Sequence, residues 1–144
     1  LRGADLSFAY LRYVNFSDAY LRNAYLRNAN LRYANLCYVN LSNTDLSFTD
    51  LSHTNLNGAD LNGADLSYVN LNNCTGNSKE IKTFQFEKYH VAITEDRMQI
   101  GCENHSIEDW FNFTDKEICE MDEEALSWWN KHFLALKILT ELYT

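Results

Sequence analysis

Ala24-Tyr25-Leu26-Arg27-Asn28-Ala29-Asn30-Leu31-Arg32-Tyr33-Ala34-Asn35-Leu36 repeats one pattern every five residues. A leucine is preceded two positions earlier by a small residue, with one residue between them that is mostly Asp or Asn. Working outward, the same leucine register runs from Leu1 to Leu71, with Phe16 filling the one gap. The small position is Ala, Val or Thr from Ala4 to Val69. A period of five suits neither regular element. On a helix of about 3.6 residues per turn the leucines would wander around every face. On a straight strand of period two, an odd repeat would throw each leucine to the side opposite the last. The pattern becomes consistent when the chain turns a corner once per repeat. The small residue and the Leu then point inward, and the other three positions face solvent. Successive turns wind into a solenoid whose coils stack at the ~4.7–4.9 Å spacing of β-structure.

Ala4-Asp5-Leu6, Ala29-Asn30-Leu31 and Ala59-Asp60-Leu61 match the A(D/N)LXX motif, and the chain resembles the pentapeptide-repeat family over about its first 74 residues. The resemblance implies a mainly β fold, a right-handed quadrilateral β-helix with four repeats, or twenty residues, per coil. Two kinds of departure stand out. Tyr10, Tyr20 and Tyr25 replace the usual Asp or Asn, and Thr44, Thr49 and Thr54 replace Ala. A threonine in the narrow interior is tolerable if its hydroxyl finds a backbone partner.

The register ends in the polar stretch Asn72-Asn73-Cys74-Thr75-Gly76-Asn77-Ser78, dividing the chain into residues 1–75 and a second domain, 76–144. Residues 83–102 alternate, which predicts a hairpin broken at Glu95-Asp96 and a third strand before it. Ser106-x-x-Asp109 and Thr114-x-x-Glu117 have the form of capping boxes, and Asp122-Glu123-Glu124 opens a last helix predicted over about 123–142. A solenoid end exposes its core and needs covering, so residues 76–144 are expected to form a small α+β capping domain. Tyr89-His90-Val91-Ala92-Ile93 and Trp110-Phe111-Asn112-Phe113-Thr114-Asp115 also resemble the tail of pentapeptide-repeat proteins from phages and prophages. The chain starts in mid-repeat without an initiator Met, so upstream residues or a partner are expected over that end.

Composition narrows the function classes. No apolar run approaches the ~20 residues of a membrane helix, and the first residues have no signal-peptide core. Four Cys in a well-packed sequence suggest reduced thiols and a cytoplasmic setting, the host cytoplasm for a phage protein. The net charge of −8 is unevenly spread. Residues 1–40 carry five Arg against two Asp, residues 41–75 only four Asp, and the tail seven Lys or Arg against fourteen acids.

Four constellations could carry chemistry. Cys102-x-x-His105, with His90 and Cys119, lacks the further ligands that zinc needs. A buried strand Cys and a surface His are the expectation, with no catalytic residue, metal or cofactor. The acidic run Glu117, Glu120, Asp122, Glu123 and Glu124 suits a solvated helix face, or alternatively a contact for a basic surface. At twenty residues per coil, Arg12 and Arg32 share a column beside Tyr13 and Tyr33. They offer either a cation–π surface for a partner or a ladder that only braces the coils. Asp45 and Asp65 share a column, with Asp50 and Asp60 on neighbouring faces. Family members acting on DNA gyrase are thought to imitate duplex DNA, yet the first two coils here are basic. The leading expectation is a non-catalytic protein-interaction scaffold, phage- or prophage-encoded, that inhibits or modulates a host nucleic-acid or defence enzyme. The alternatives are a DNA mimic toward a type II topoisomerase or other DNA-binding enzyme, and an enzyme in residues 76–144. Direct nucleic-acid or membrane binding is not favoured. The wide apolar stripe of the last helix adds one more expectation, a homodimer joined through Trp128, Trp129, Phe133 and Leu136.

Overall fold

The computed structural model describes residues 1–143 and shows each five-residue unit as one corner of a coil. In every repeat the amide of the small residue donates to the carbonyl of the Leu three positions earlier, as in Ala29 to Leu26 at 2.9 Å. The residue two after the Leu has positive φ throughout, between 54° and 69° from Gly3 to Asn73. Negative φ followed by positive φ, closed by that bond, is the type II turn. Residues twenty apart then pair as parallel bridges, from Asp5 with Tyr25 to Asn55 with Thr75.

Inside, Leu21 through Leu56 form fully buried columns beside Ala24, Ala29, Ala34 and Val39. The three departures to Thr obey the condition set by the sequence. Thr44, Thr49 and Thr54 donate to the carbonyls of Leu21, Leu26 and Leu31, at 3.1, 2.8 and 2.9 Å. Outside, every Asp or Asn that precedes a core Leu accepts from the backbone amide two residues on, as Asn35 does from Cys37 at 3.2 Å and Asp65 from Ser67 at 2.9 Å. This Asx bond fixes the approach to the corner.

The tail is a four-stranded antiparallel meander, β1 (Lys82–Phe86), β2 (Tyr89–Ile93), β3 (Arg97–Ile100) and β4 (Glu103–Ser106), followed by α1 (Ile107–Asn112), α2 (Asp115–Met121) and α3 (Ala125–Tyr143). Sequence pattern anticipates the first three strands and misses the fourth, because Glu103-Asn104-His105-Ser106 has no apolar alternation. Gly101, at φ +58, closes a two-residue β3–β4 hairpin and places Cys102 in the turn. Cys102 is therefore exposed rather than buried on a strand, and His105 is half-buried on β4. Both helix starts form as expected: Ser106 caps α1, and Thr114 with Glu117 makes a full capping box on α2. The last helix begins two residues later than expected, because Asp122 accepts from the Glu124 amide and holds 123–124 in a turn.

One face of the sheet meets the helices, with Val91, Ile93, Met98 and Ile100 against Trp110, Ile118, Trp128, Trp129 and Leu136. The other face covers the last coil, where Ile81 and Ala92 join the solenoid core. Polar side chains of the tail take the places that another coil would fill. Gln99 accepts from the Leu71 amide at 2.7 Å, and Asn104 and Asn77 donate to the carbonyls of Val69 and Ala59 at 2.8 and 3.0 Å. His90 bridges the Asn73 amide and the Cys74 carbonyl. The cap thus satisfies backbone groups that burial would otherwise strand. The crossing into the tail is tight at Gly76, where a Cβ would run into the Ile81 carbonyl oxygen. Gly76→Ala is expected to cost about 1–3 kcal/mol, the range for an overpacked site. Chemical unfolding would show it, and a Gly76→Ala protein as stable as the parent would contradict this close approach.

Candidate interaction surface

The corner residue of each repeat points outward, so corners twenty residues apart bring their side chains into register. Tyr13, Tyr33 and His53 stack, with ring centroids 5.1 and 4.6 Å apart and planes within 16°. The guanidinium of Arg12 lies 5.2 Å from the Tyr13 centroid, and that of Arg32 lies 5.6 Å from Tyr33. Arg32 also faces Asp50 at 3.8 Å. Four of the residues singled out from the sequence, with Asp50, therefore stand together. Their ring faces are spent on one another, leaving edges and guanidinium groups for a partner.

A second ladder, marked by the same twenty-residue spacing, occupies a neighbouring corner. Phe48 and Tyr68 stack at 4.9 Å, with Arg27 over Phe48 and Arg97 over Tyr68, each at 4.8 Å. Arg97 comes from β3, so no spacing rule within the solenoid could have found it. His53 was equally available from the column of Tyr13 and Tyr33.

The acids are more dispersed. Asp45 and Asp65 share one column, while Asp50 and Asp60 stand on opposite sides of the coil, each next to the face of that column. All four are engaged in Asx bonds. The hydroxyl and amide of Ser67 lower the carboxyl of Asp65 from its ordinary range, with Arg27 adding a smaller pull. In the tail, Glu117 serves the capping box, Glu120 faces Lys116, and Asp122 and Glu124 both bind Lys88 at 3.1 Å. Among the described residues, no three His, Cys, Asp or Glu are placed to hold a metal. Cys102, His105, His90 and Cys119 stay in separate roles: His105 bonds Glu103 at 3.0 Å, and Cys119 is exposed on α2. Burial pushes the Cys74 thiol up to about 12, as suits a core residue.

Three positions break the local rule. Tyr10, Tyr20 and Tyr25 stand where an Asx acceptor is usual, and none of them supplies the bond. They are 89%, 74% and 56% exposed, all on the first two coils, among Arg2, Arg12, Arg22 and Arg27.

The model of the pentapeptide repeat matches in eight copies over residues 1–36 and 40–75. The chain belongs to the pentapeptide-repeat family. With that membership goes the right-handed β-helix, here closed by a small α+β cap. Among solved pentapeptide-repeat structures it is similar to HetL of the cyanobacterium Nostoc sp. strain PCC 7120, involved in heterocyst differentiation regulation, with 36% identity and a TM-score of 0.34. That match covers 54% of this chain and 38% of HetL, so the chain spans well under half of that relative. A pentapeptide-repeat protein of the Arabidopsis thaliana thylakoid lumen matches at 27% identity and TM-score 0.32, covering 54% of this chain and 58% of its own. QnrB1, a plasmid-mediated fluoroquinolone resistance protein, matches at 18% and 0.21, covering 50% and 60%. No curated protein matches the chain. Among the described residues no helix is long and apolar enough to cross a membrane.

The joint between solenoid and cap carries a pH dependence. His90 accepts from the Asn73 amide through Nδ1 and donates from Nε2 to the Cys74 carbonyl, an arrangement that needs the neutral ring. Burial lowers its pKa, with a smaller push from His53 and an opposing pull from the Cys74 carbonyl. A folded-state pKa below the unfolded one contributes stability that is full above the ordinary His value and lost as pH falls through the folded value. The melting temperature is expected to drop more between pH 7.5 and 5.5 in the parent than in His90→Gln. Parallel slopes would remove His90 as the cause.

Proposed function

We propose that this pentapeptide-repeat protein is a non-catalytic interaction scaffold that grips an acidic protein surface with the Arg and Tyr girdle of its first two coils. The observation that carries this reading is the broken rule at Tyr10, Tyr20 and Tyr25. Each gives up a local hydrogen bond that every neighbouring Asp or Asn makes, and each instead exposes a large amphipathic ring. Positions where a sequence departs from its own structural logic are where function is expected. Tyr and Arg are also the residues enriched at the energetic centres of protein interfaces. The stacked Arg12, Tyr13, Arg32 and Tyr33 corner extends the same surface along the rod.

A basic face of this kind suits an acidic patch of its target rather than a basic DNA-binding groove. We place the partner among host nucleic-acid or defence enzymes, in keeping with the resemblance of the tail to phage and prophage proteins. A second reading, mimicry of DNA toward a topoisomerase, draws on the Asp45 and Asp65 column. Against it, the first two coils carry five Arg and only two Asp, and Arg32 stands against Asp50.

Two variants separate the readings because asparagine keeps the Asx acceptor. Tyr10→Asn/Tyr25→Asn restores two missing Asx bonds, so it should melt no lower than the parent. Its affinity for a partner captured from host lysate should nevertheless fall at least about tenfold, the loss expected of interface hot spots. Asp45→Asn/Asp65→Asn should leave capture intact. If capture instead fails with the Asp pair and is competed by duplex DNA, mimicry replaces the scaffold reading.

Self-association through the last helix also belongs to this reading, on a different face from the one the stripe suggested. Trp128, Trp129 and Leu136 are buried in the core of their own domain, and Phe133 packs against Phe111 and Trp129. The four-stranded sheet together with α1 and α2 supplies more covering surface than a hairpin would, which is why the stripe is consumed there. Leu134, Ile138 and Leu142 form the apolar row that remains exposed on α3. Exposed rows of this kind mark association sites. Sedimentation at micromolar concentration is expected to show a dimer that Leu134→Glu/Ile138→Glu converts to monomer. A monomeric parent would end the dimer proposal.

A further inference from the structure

The last coil presents the cap with the carbonyls of four small inward residues, and three of them are taken. Asn77 donates to Ala59, Asn104 to Val69 and His90 to Cys74, at 3.0, 2.8 and 3.0 Å. The fourth carbonyl, that of Ala64, meets no donor among the described residues, and the neighbouring amides of Gly63 and Leu66 meet no acceptor there. These three residues line an open groove of about 550 Å³ between the coil and the cap. Ala64 and Leu66 are only half-buried, whereas Leu61, Val69 and Leu71 are buried. One coil earlier, the same positions show what such groups pair with. Asp65 donates its amide to the Thr44 carbonyl at 2.9 Å and accepts from the Leu46 amide at 3.0 Å, and the Asn43 amide reaches the Asn62 carbonyl at 2.9 Å. The groove therefore repeats the bonding edge of the coil with the next strand missing.

A bare β-edge is completed by an extended chain that supplies the missing bonds. One incoming residue opposite Asp65 would donate to the Ala64 carbonyl and accept from the Leu66 amide, and the residue three before it would accept from Gly63. The two neighbours of that central residue would turn onto the half-buried Ala64 and Leu66. A small residue before it and a leucine after it suit this floor, as they do in the chain's own repeat. The charge of the rim selects the central residue. Asp65, Glu80, Glu95 and Asp96 line the groove against Lys79 and Lys82. Lys79 lies 3.5 Å from Glu80, while Glu95 and Asp96 are exposed and form no ion pair among the described residues. We infer that the groove docks an extended segment of a partner protein by strand addition, with a basic side chain opposite Asp65 that meets the acidic rim. The groove uses none of the residues of the Arg and Tyr girdle, so the inference stands apart from the scaffold reading.

The probe is the acetylated and amidated heptapeptide Ser-Asn-Ala-Arg-Leu-Ser-Asn, titrated into the full chain while amide resonances and their hydrogen exchange are followed by NMR. Saturable shifts are expected at Gly63 and Leu66, with slower exchange of both amides. Methylating the backbone nitrogen of the central arginine removes the donor for Ala64 and should weaken binding at least about fivefold, the scale of one lost and unreplaced hydrogen bond. Glu in place of that arginine should weaken it about threefold, as for an exposed ion pair. Glu95→Gln/Asp96→Asn should shrink this Arg-over-Glu preference and keep the melting temperature of the parent. Shifts confined to other residues, no saturation, or an N-methylated peptide that binds like the first would each overturn strand addition. Equal binding of the Arg and Glu peptides, or a preference unchanged in the double variant, would overturn the basic occupant.

Discussion

Each corner of the solenoid is held by one backbone hydrogen bond, from the amide of the small inward residue to the carbonyl of the preceding Leu. In the type II form that the turn takes here, the second of the two residues between them has positive φ, a conformation that L side chains other than Asn and Asp seldom adopt. Phe8, Tyr13, Tyr33, Tyr38, Phe48 and Tyr68 adopt it nonetheless. What holds them there is the stack of coils. In most repeats the same residue donates its amide to the next coil, as Tyr33 does to Ser52 at 3.1 Å, so leaving the turn would break two bonds together. The interior follows from this one constraint. Once the chain turns at every fifth residue, only two positions per repeat can face inward, and these are the positions filled by Leu and by Ala, Val or Thr.

The same constraint explains why the solenoid was legible and the tail less so. Inward and outward directions in a repeat are set within five residues, so spacing alone assigns Leu36 to the core and Tyr33 to a corner. It assigns the stacking partners too, and His53 and the Phe48–Tyr68 pair could have been read from the twenty-residue column. In the tail, direction depends on contacts distant in sequence. Gln99, buried in the middle of β3, looks out of place until its carboxamide is seen on the Leu71 amide, the Asn70 side chain and the Gly101 carbonyl. Asn104 and His90 likewise have meaning only against the last coil. β4 is a strand because Gly101 folds it back onto β3 and because Asn104 reaches the solenoid, and neither cause leaves an apolar pattern in the sequence.

Docking on polar side chains has a consequence for what the cap can be. A cap built only from apolar surface would cover the leucines and leave the last coil's amides and carbonyls unpaired at a cost of roughly 1–3 kcal/mol for each buried group. Here five such backbone groups are matched by Gln99, Asn104, Asn77 and both nitrogens of His90. The sheet is thereby fixed in register on the rod, with its other face turned to the helices.

The division of labour along the rod follows from charge and from hydrogen bonding together. In the later coils every position before a Leu is Asp or Asn, and these side chains turn back onto the backbone. Their charge is present, but their geometry serves the corner first. In the first two coils three of these positions are Tyr, and the backbone amides they would have capped go without that acceptor. Stability would favour Asn at all three. The chain keeps bulky exposed rings there instead, in the coils that also carry the arginines, and that departure from the local rule is what the proposed interaction surface rests on.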